Sequence, residues 1–332
     1  MTSIDTVQSP SSGNMPDAVT SPPDQASKKS KSVISSPYLH RIQRRHFVLF
    51  DVLPFIGTVA AIALLFFHPI TSMDIALFFG MWLATGLALT AGYHRLFAHG
   101  AFATSTPVAV AFIILGAMAG RGSMISWVTT HRRHHHLSDK EGDIHSPNLA
   151  GHSPAQKVRG WLHAHFTWMI QHDYPNPAVY APDLLRNPVL LKANRYYHLW
   201  VALGLALPAV IGGLYAGNLM GALTGFLWGG VVRMFVVEQS MSTINSFLHL
   251  IGSRPFDTRE NSRNAAILSL PLWGEAWHNN HHAFPYSAAF GLTWYQLDPG
   301  YWLIRGLQAV GLVWDVKIPI GRHIAARRGI GA

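Results

Sequence analysis

Apolar positions gather into four long runs, roughly Phe47–Phe67, Met73–Gly92, Leu199–Ala216 and Asn218–Val237. Each holds about the 20 helical residues that cross a bilayer core. The first two are joined by His68–Ser72, and the last two by a turn at Gly217. Links that short predict two antiparallel helical hairpins. A fifth run, Val108–Met118, is only 11 residues and predicts a buried or interfacial helix. Tyr301–Trp314 is interrupted by Arg305 and Gln308 and predicts a helix lying in the interface plane. Residues 1–36 are rich in Ser, Pro, Asp and Lys without periodicity, which predicts a disordered tail with no secretory-signal core. The remainder, 37–332, reads as one all-α integral membrane domain: four transmembrane helices, with 93–198 and 238–332 forming a helical cytoplasmic cap.

Composition supports that class. Apolar types make up 49% of the 332 residues and charged types 12%, against about 25% charged in a soluble domain. The 11 Trp, 17 Phe and 10 Tyr exclude disorder of the whole chain. With no Cys there is no disulfide, no thiolate metal site and no cysteine nucleophile. A net charge of +9 suggests nucleic acid until its placement is read. Six Lys/Arg precede the first run, ten lie in 93–197, eight in 238–332, and Arg233 sits near the inner end of the fourth run. Neither hairpin link carries any. The positive-inside rule therefore places both termini and the middle segment in the cytoplasm, as expected of a multi-pass inner-membrane protein. The charge is a topology signal, and no nucleic-acid partner is expected.

The remaining anomaly is histidine, 20 residues against 16 acids. Compact clusters are His94-Arg-Leu-Phe-Ala-His99, His131-Arg-Arg-His134-His135 and His278-Asn-Asn-His281-His282, with Asn245-Ser-Phe-Leu-His249 on the continuation of the fourth run. Residues i, i+3 and i+4 share a helix face, so each H-x-x-H-H presents three imidazoles together, as i and i+4 do for Asn245 and His249. The adjacent pair diverges by about 100°, so such boxes can feed two metals. Imidazole suits Fe, Zn, Cu or Ni. From Met73 to His99 is 27 residues, about 40 Å of helix against a core near 30 Å. Ligands on such extensions stand at the membrane surface, where an acyl chain can be drawn in.

The bland reading, a histidine-rich surface, must explain two copies of one spacing on one side of the membrane. Isolated His40, His68, His198 and His323 read as surface residues, His145 and His152 as turn residues, and His163, His165 and His172 as surface or supporting groups. His136 stays open. Asp139, Glu141, Asp143 and Glu275 lie beside the clusters, where they orient imidazole N–H groups. No G-x-S-x-G elbow or phosphate-cradling loop occurs.

The boxes HRLFAH, HRRHH and HNNHH, with NSFLH, resemble the integral-membrane fatty acyl desaturases of the acyl-CoA desaturase type, over about residues 47–317. Box order and flanking strings such as SDKEGDIHSP and GEAWH add to the resemblance. It implies a non-haem di-iron centre held by nine histidines. One iron would take His94, His99, His131, His135 and His282. The other would take His134, His249, His278 and His281, with Asn245 reaching it through water. Trp127 is implied beside an acyl tunnel whose closed end runs past Phe78, Met81 and Trp82. The implied reaction is O2-dependent insertion of a cis double bond, at Δ9, into a long saturated acyl group on CoA or membrane lipid. Two electrons come from a separate carrier: a ferredoxin, rubredoxin or b-type cytochrome with its reductase, because no His-Pro-Gly-Gly of a fused cytochrome occurs. Thr129, Thr130, His172 and Asp173 replace the family's CoA-contacting charged residues, which leaves the head group open. Related membrane hydroxylases and ketolases are the alternative. A histidine-rich metal transporter is a remote one, since the spans contain almost no ionisable residues.

Overall fold

The computed structural model describes residues 32–328, so residues 1–31 of the expected tail lie outside it. The chain is helical, with two minimal two-stranded ladders. Its main helices are α1 (Pro37–Leu64), α2 (Ser72–Ala98), α3 (Thr106–Ala117), α4 (Met124–Leu137), α5 (Pro154–His165), α6 (Pro188–Arg195), α7 (Tyr197–Ala216), α8 (Leu219–His249), α9 (His278–Ala283), α10 (Pro299–Ala309) and α11 (Gly321–Arg327). Four of these, α1, α2, α7 and α8, are long and apolar enough to cross a membrane. The apolar window of α1 is 11% buried inside the protein and that of α7 22%, against 44% in α2 and α8. The outer pair therefore offers its apolar faces to lipid, and the inner pair is the spine.

Both hairpin links are locally determined. Thr71 and Asp74 form a reciprocal cap at the start of α2, with the Thr71 N–H donating to Asp74 at 2.9 Å. Gly217 closes α7 in the left-handed region, at φ 67°, and the Asn218 side chain then caps α8. Pairing of α7 with α8 depends on small residues. A Cβ on Gly225 would meet the Pro208 carbonyl and Gly212 of α7, the close approach that drives helix association where water is absent. Arg233, fully buried in α8, donates to the carbonyls of Gly229, Met118 and Gly204 at 3.1, 2.6 and 3.0 Å. It thereby ties α8 to α7 and to the end of α3.

Two boundaries differ from expectation. Helix α1 begins ten residues early, because Ser36 caps it and Pro37 starts it, and its first turns are amphipathic rather than wholly apolar. Helix α8 does continue beyond Val237 to His249, as the expected placement of Asn245 and His249 on its extension requires. The stretch 301–314 is not one helix: α10 ends at Ala309, Gly311 takes φ 75°, and Val313–Trp314 pairs with Ala103–Thr104. Of the run Val108–Met118, all but Met118, which caps it, lies within the short helix α3.

Small-residue packing between α7 and α8 gives a controlled test. Gly225→Leu is expected to lower the melting temperature of the detergent-solubilised protein by several degrees, at an overpacking cost of about 1–3 kcal/mol. Gly80→Leu, whose added Cβ meets nothing within 4 Å, leaves it unchanged.

Candidate metal centre

Nine histidines converge where α2, α4, α8 and α9 meet, in two groups whose ligand atoms lie within 4.8 Å of one another: His94, His99, His131, His135 and His281, and then His134, His249, His278 and His282. Each H-x-x-H-H box divides in the same way. Its i and i+4 imidazoles enter one group and its i+3 imidazole enters the other. Thus His131 and His135 meet His281, while His278 and His282 meet His134. This reverses the expected places of His281 and His282. The reason is helical geometry: i+4 lies about 40° from i around the helix axis, and i+3 about 60° away on the other side.

The spacing His94-x4-His99 has a separate cause. The end of α2, Ala88–Ala98, is wound with π-type hydrogen bonds, and the His99 N–H donates to the His94 carbonyl at 3.2 Å. Bonding to the fifth residue stacks residues five apart, which an α-helix would splay. The two rings end 5.1 Å apart.

Carboxylates hold the rings. His94 Nδ1 donates to Glu275 at 2.5 Å, His134 Nδ1 to Asp143 at 3.0 Å and His249 Nδ1 to Asp139 at 3.2 Å. A carboxylate accepts only, so these rings carry their proton on Nδ1 and turn a bare Nε2 inward. His282 Nδ1 lies 3.5 Å from Glu260, a partner that nothing near the boxes in sequence announces. Glu275 also accepts from Thr90 and lies 3.8 Å from Arg95. The Asn264–Asn279–Asn280 network fixes α9, with Asn279 and Asn280 N–H groups donating to Asn264 at 2.9 and 3.2 Å.

The donor set fits a pair of metal ions. Nε2 atoms of His94 and His281 approach to 3.0 Å, His99 and His131 to 2.9 Å, His281 and His135 to 2.8 Å, and His249 and His278 to 3.0 Å. Lone pairs facing at such distances repel unless a cation lies between them. Two imidazole nitrogens bound at right angles to one ion, at about 2.0–2.1 Å each, stand roughly 3.0 Å apart. His278 Nδ1, His281 Nδ1 and His282 Nε2 are buried without a hydrogen-bond partner. Burial, reinforced by neighbouring imidazoles, pushes His99, His131, His135, His278, His281 and His282 well below the ordinary histidine range. They are therefore neutral, the form that binds a metal. For His134 burial works the same way but the Asp143 carboxylate outweighs it and raises the value. Burial likewise opposes ionisation of Asp139, Asp143 and Glu275, yet their histidine partners hold all three below the usual carboxylate range.

Two cavities with a shared wall adjoin the groups. An inner one of about 40 Å³ is walled by Leu89, Thr90, Met241 and Ile244 and touches His94, His131, His134 and His278. An outer one of about 290 Å³ is lined by apolar side chains such as Ile42, Trp168 and Met169 and by polar ones including Gln43, His46, Tyr174 and Tyr197. Arg121, Trp127, His131 and Asn245 border both. Trp127 stacks on His131, with centroids 4.9 Å apart. Phe78 and Met81 line neither cavity; Phe78 packs on Phe79, and Trp82 packs on Trp273. His136 is exposed. His145 is buried with its ring 4.5 Å from His134, a closer position than a turn residue suggests. Glu275→Gln is expected to weaken metal retention about 10–100-fold, measured as metal per chain after dialysis against a chelator, while His136→Ala leaves it unchanged.

Comparison with known proteins agrees with this geometry. The sequence profile of the fatty acid desaturase family matches residues 73–315. The chain is 49% identical over 303 residues to the hex-5-enoyl-[acyl-carrier protein] acetylenase of Moorena producens, covering 91% of this chain and 94% of that protein. It is 33% identical over 240 residues to the sn-1 stearoyl-lipid 9-desaturase of Anabaena variabilis, covering 71% and 81%. With the Delta-9 acyl-lipid desaturase 1 of Arabidopsis thaliana it shares 35% over 234 residues, covering 70% and 72%. The chain is an oxidoreductase of the fatty acid desaturase family.

Proposed function

We propose that the chain is an O2-dependent fatty acyl desaturase whose nine histidines hold two iron ions, five imidazoles on one and four on the other. The observation that carries this reading is the division of nine imidazoles into two groups of facing nitrogens beside a small chamber walled on one side by Leu89, Met241 and Ile244. A methylene remote from a carbonyl has no proton acidic enough for a side-chain base, and bound iron supplies the O2 chemistry that breaks such a C–H bond. Each turnover takes one O2, two electrons and two protons from a carrier. Two hydrogens leave the chain, one carbon–carbon π bond forms, and two waters are released.

The protein's own part is orientation and exclusion of water. Trp127 braces His131 at the chamber wall. Leu89, Met241 and Ile244 keep the reacting carbons dry. Asn245, on the chamber wall with His134 and His278, reaches the four-histidine group through water. Glu275, Asp143, Asp139 and Glu260 keep imidazole nitrogens aimed inward. The positive-inside pattern supports an inner-membrane setting with this end of the bundle, and both termini, in the cytoplasm. A soluble ferredoxin, rubredoxin or b-type cytochrome with its reductase can then dock from that side.

The Δ9 position implied by the resemblance is supported by the acyl-lipid 9-desaturase relatives. A second reading, removal of hydrogen from a shorter chain that already holds a double bond, is favoured by the higher identity to the acetylenase over nearly all of both chains. Expression in a host lacking its own desaturase, with double and triple bonds located by mass spectrometry of derivatised lipid and thioester fractions, tests the reaction. New alkenyl or alkynyl chains are expected, and His278→Ala abolishes them while the protein still inserts. Hydroxylated or keto products would move the chain to the alternative chemistry. Chelation of the purified enzyme is expected to stop turnover, and ferrous iron to restore it.

A further inference from the structure

The wall shared by the two cavities carries a charged pair that a conduit for a long hydrocarbon does not need. Arg121 borders both cavities and forms an ion pair with Glu238 of α8; their side chains are 8% and 6% exposed. Glu238 also accepts from Ser242 at 3.1 Å. The Arg121 guanidinium lies over the Trp168 ring at 5.6 Å. Among the described residues its hydrogen bond to Met169 and its ion pair both run through Nη1. Asp51, which lines the outer cavity, faces the same guanidinium without a hydrogen bond to it, and the donors on Nε and Nη2 remain for a ligand at this boundary.

We propose that Arg121, braced by Glu238, is the carbonyl anchor for a short acyl chain presented as a thioester on a pantetheine arm. This rests on the acyl-dehydrogenating reading and selects its short-chain form. The inner chamber is about 40 Å³, and a cavity needs about 10–15 Å³ by this measure to seat one water. It therefore seats about three water-sized groups, the last few carbons of a chain. Carbons beyond those must lie alongside Arg121 and Glu238, where methylenes would strip solvent from two charges and return no hydrogen bond. A thioester oxygen at that place accepts from the free guanidinium donors instead. Outside it, Ser123 and Thr130 line the larger cavity beside Ile42, Met169 and Trp168, hydroxyls set among apolar walls that suit the amides and methylenes of a pantetheine arm.

The test uses iron-loaded enzyme with an electron donor and a matrix of substrates. Hexanoyl, hex-5-enoyl, hexadecanoyl and octadecanoyl groups are offered on CoA and on acyl carrier protein, and long chains also as phosphatidylcholine vesicles. The wild type is expected to favour six-carbon thioesters over hexadecanoyl ones by at least about tenfold in kcat/KM, on either or both carriers. The variant D51N/R121M/E238L removes the guanidinium together with both carboxylates beside it, which avoids stranding a buried charge. It is expected to lose about 10–100-fold on short thioesters, the worth of a charge-assisted hydrogen bond, mainly through KM, and to gain on hexadecanoyl chains. D51N/R121Q/E238Q provides the same test with a polar pair at 121 and 238 should the apolar one fail to fold. Binding is read separately, as the shift in melting temperature on adding hexanoyl-pantetheine, which the variants should lose. An unchanged chain-length profile in both variants, or a wild-type preference for long chains or for phosphatidylcholine, overturns the anchor. If no acyl group of any length or carrier gains unsaturation, the acyl-dehydrogenating reading itself falls, whatever the binding shift shows.

Discussion

Bringing nine imidazoles into two buried groups, with nitrogens about 3 Å apart, is the constraint on which the rest of the structure depends. Neutral rings demand burial, and burial demands that every ring's second nitrogen be accounted for. Four buried or half-buried acids, Glu275, Asp143, Asp139 and Glu260, meet part of that demand. The long inner helices answer the same constraint. Helix α2 runs 27 residues and α8 runs 31, so each carries its histidines past the length that a bilayer core requires. The outer helices α1 and α7 shield this spine, and Arg233 and the glycine-lined crossing hold α8 in place.

The class of fold was legible because a membrane simplifies the code. A helix in lipid is apolar on all sides, so Met73–Gly92 and Leu199–Ala216 announce themselves by length alone. Where helices leave that environment the signal changes to amphipathic, which is why the polar first turns of α1 and the tail of α8 fell outside the apolar runs. The break after Ala309 depends on a left-handed Gly311 and on pairing with Ala103–Thr104, a contact some two hundred residues away in sequence that no local pattern can express.

The site divides in the same way. Repeated H-x-x-H-H spacing marks the imidazoles, since i, i+3 and i+4 are fixed by helical geometry. The same geometry keeps i with i+4 and sends i+3 to the other group, which exchanges His281 and His282 relative to the expected partition; that His131 and His135 meet His281 is set by how α4 and α9 face each other. Pairing of His94 with His99 needs the π-wound end of α2, for which the sequence offers no independent cue. Glu260 and His145 were invisible for a related reason: their loops reach the centre only when the chain is folded. Phe78, chosen by position along α2, lines neither cavity, while Arg121, a single basic residue before α4, borders both.

The most direct test of the account is the metal content of the purified protein, read together with X-ray absorption at the metal edge. Two irons per chain, with coordination dominated by imidazole nitrogen and lost from one site alone when His281 or His134 is replaced, is the predicted result. A single metal per chain, or coordination dominated by carboxylate oxygen, would contradict the division of nine histidines on which the mechanism stands.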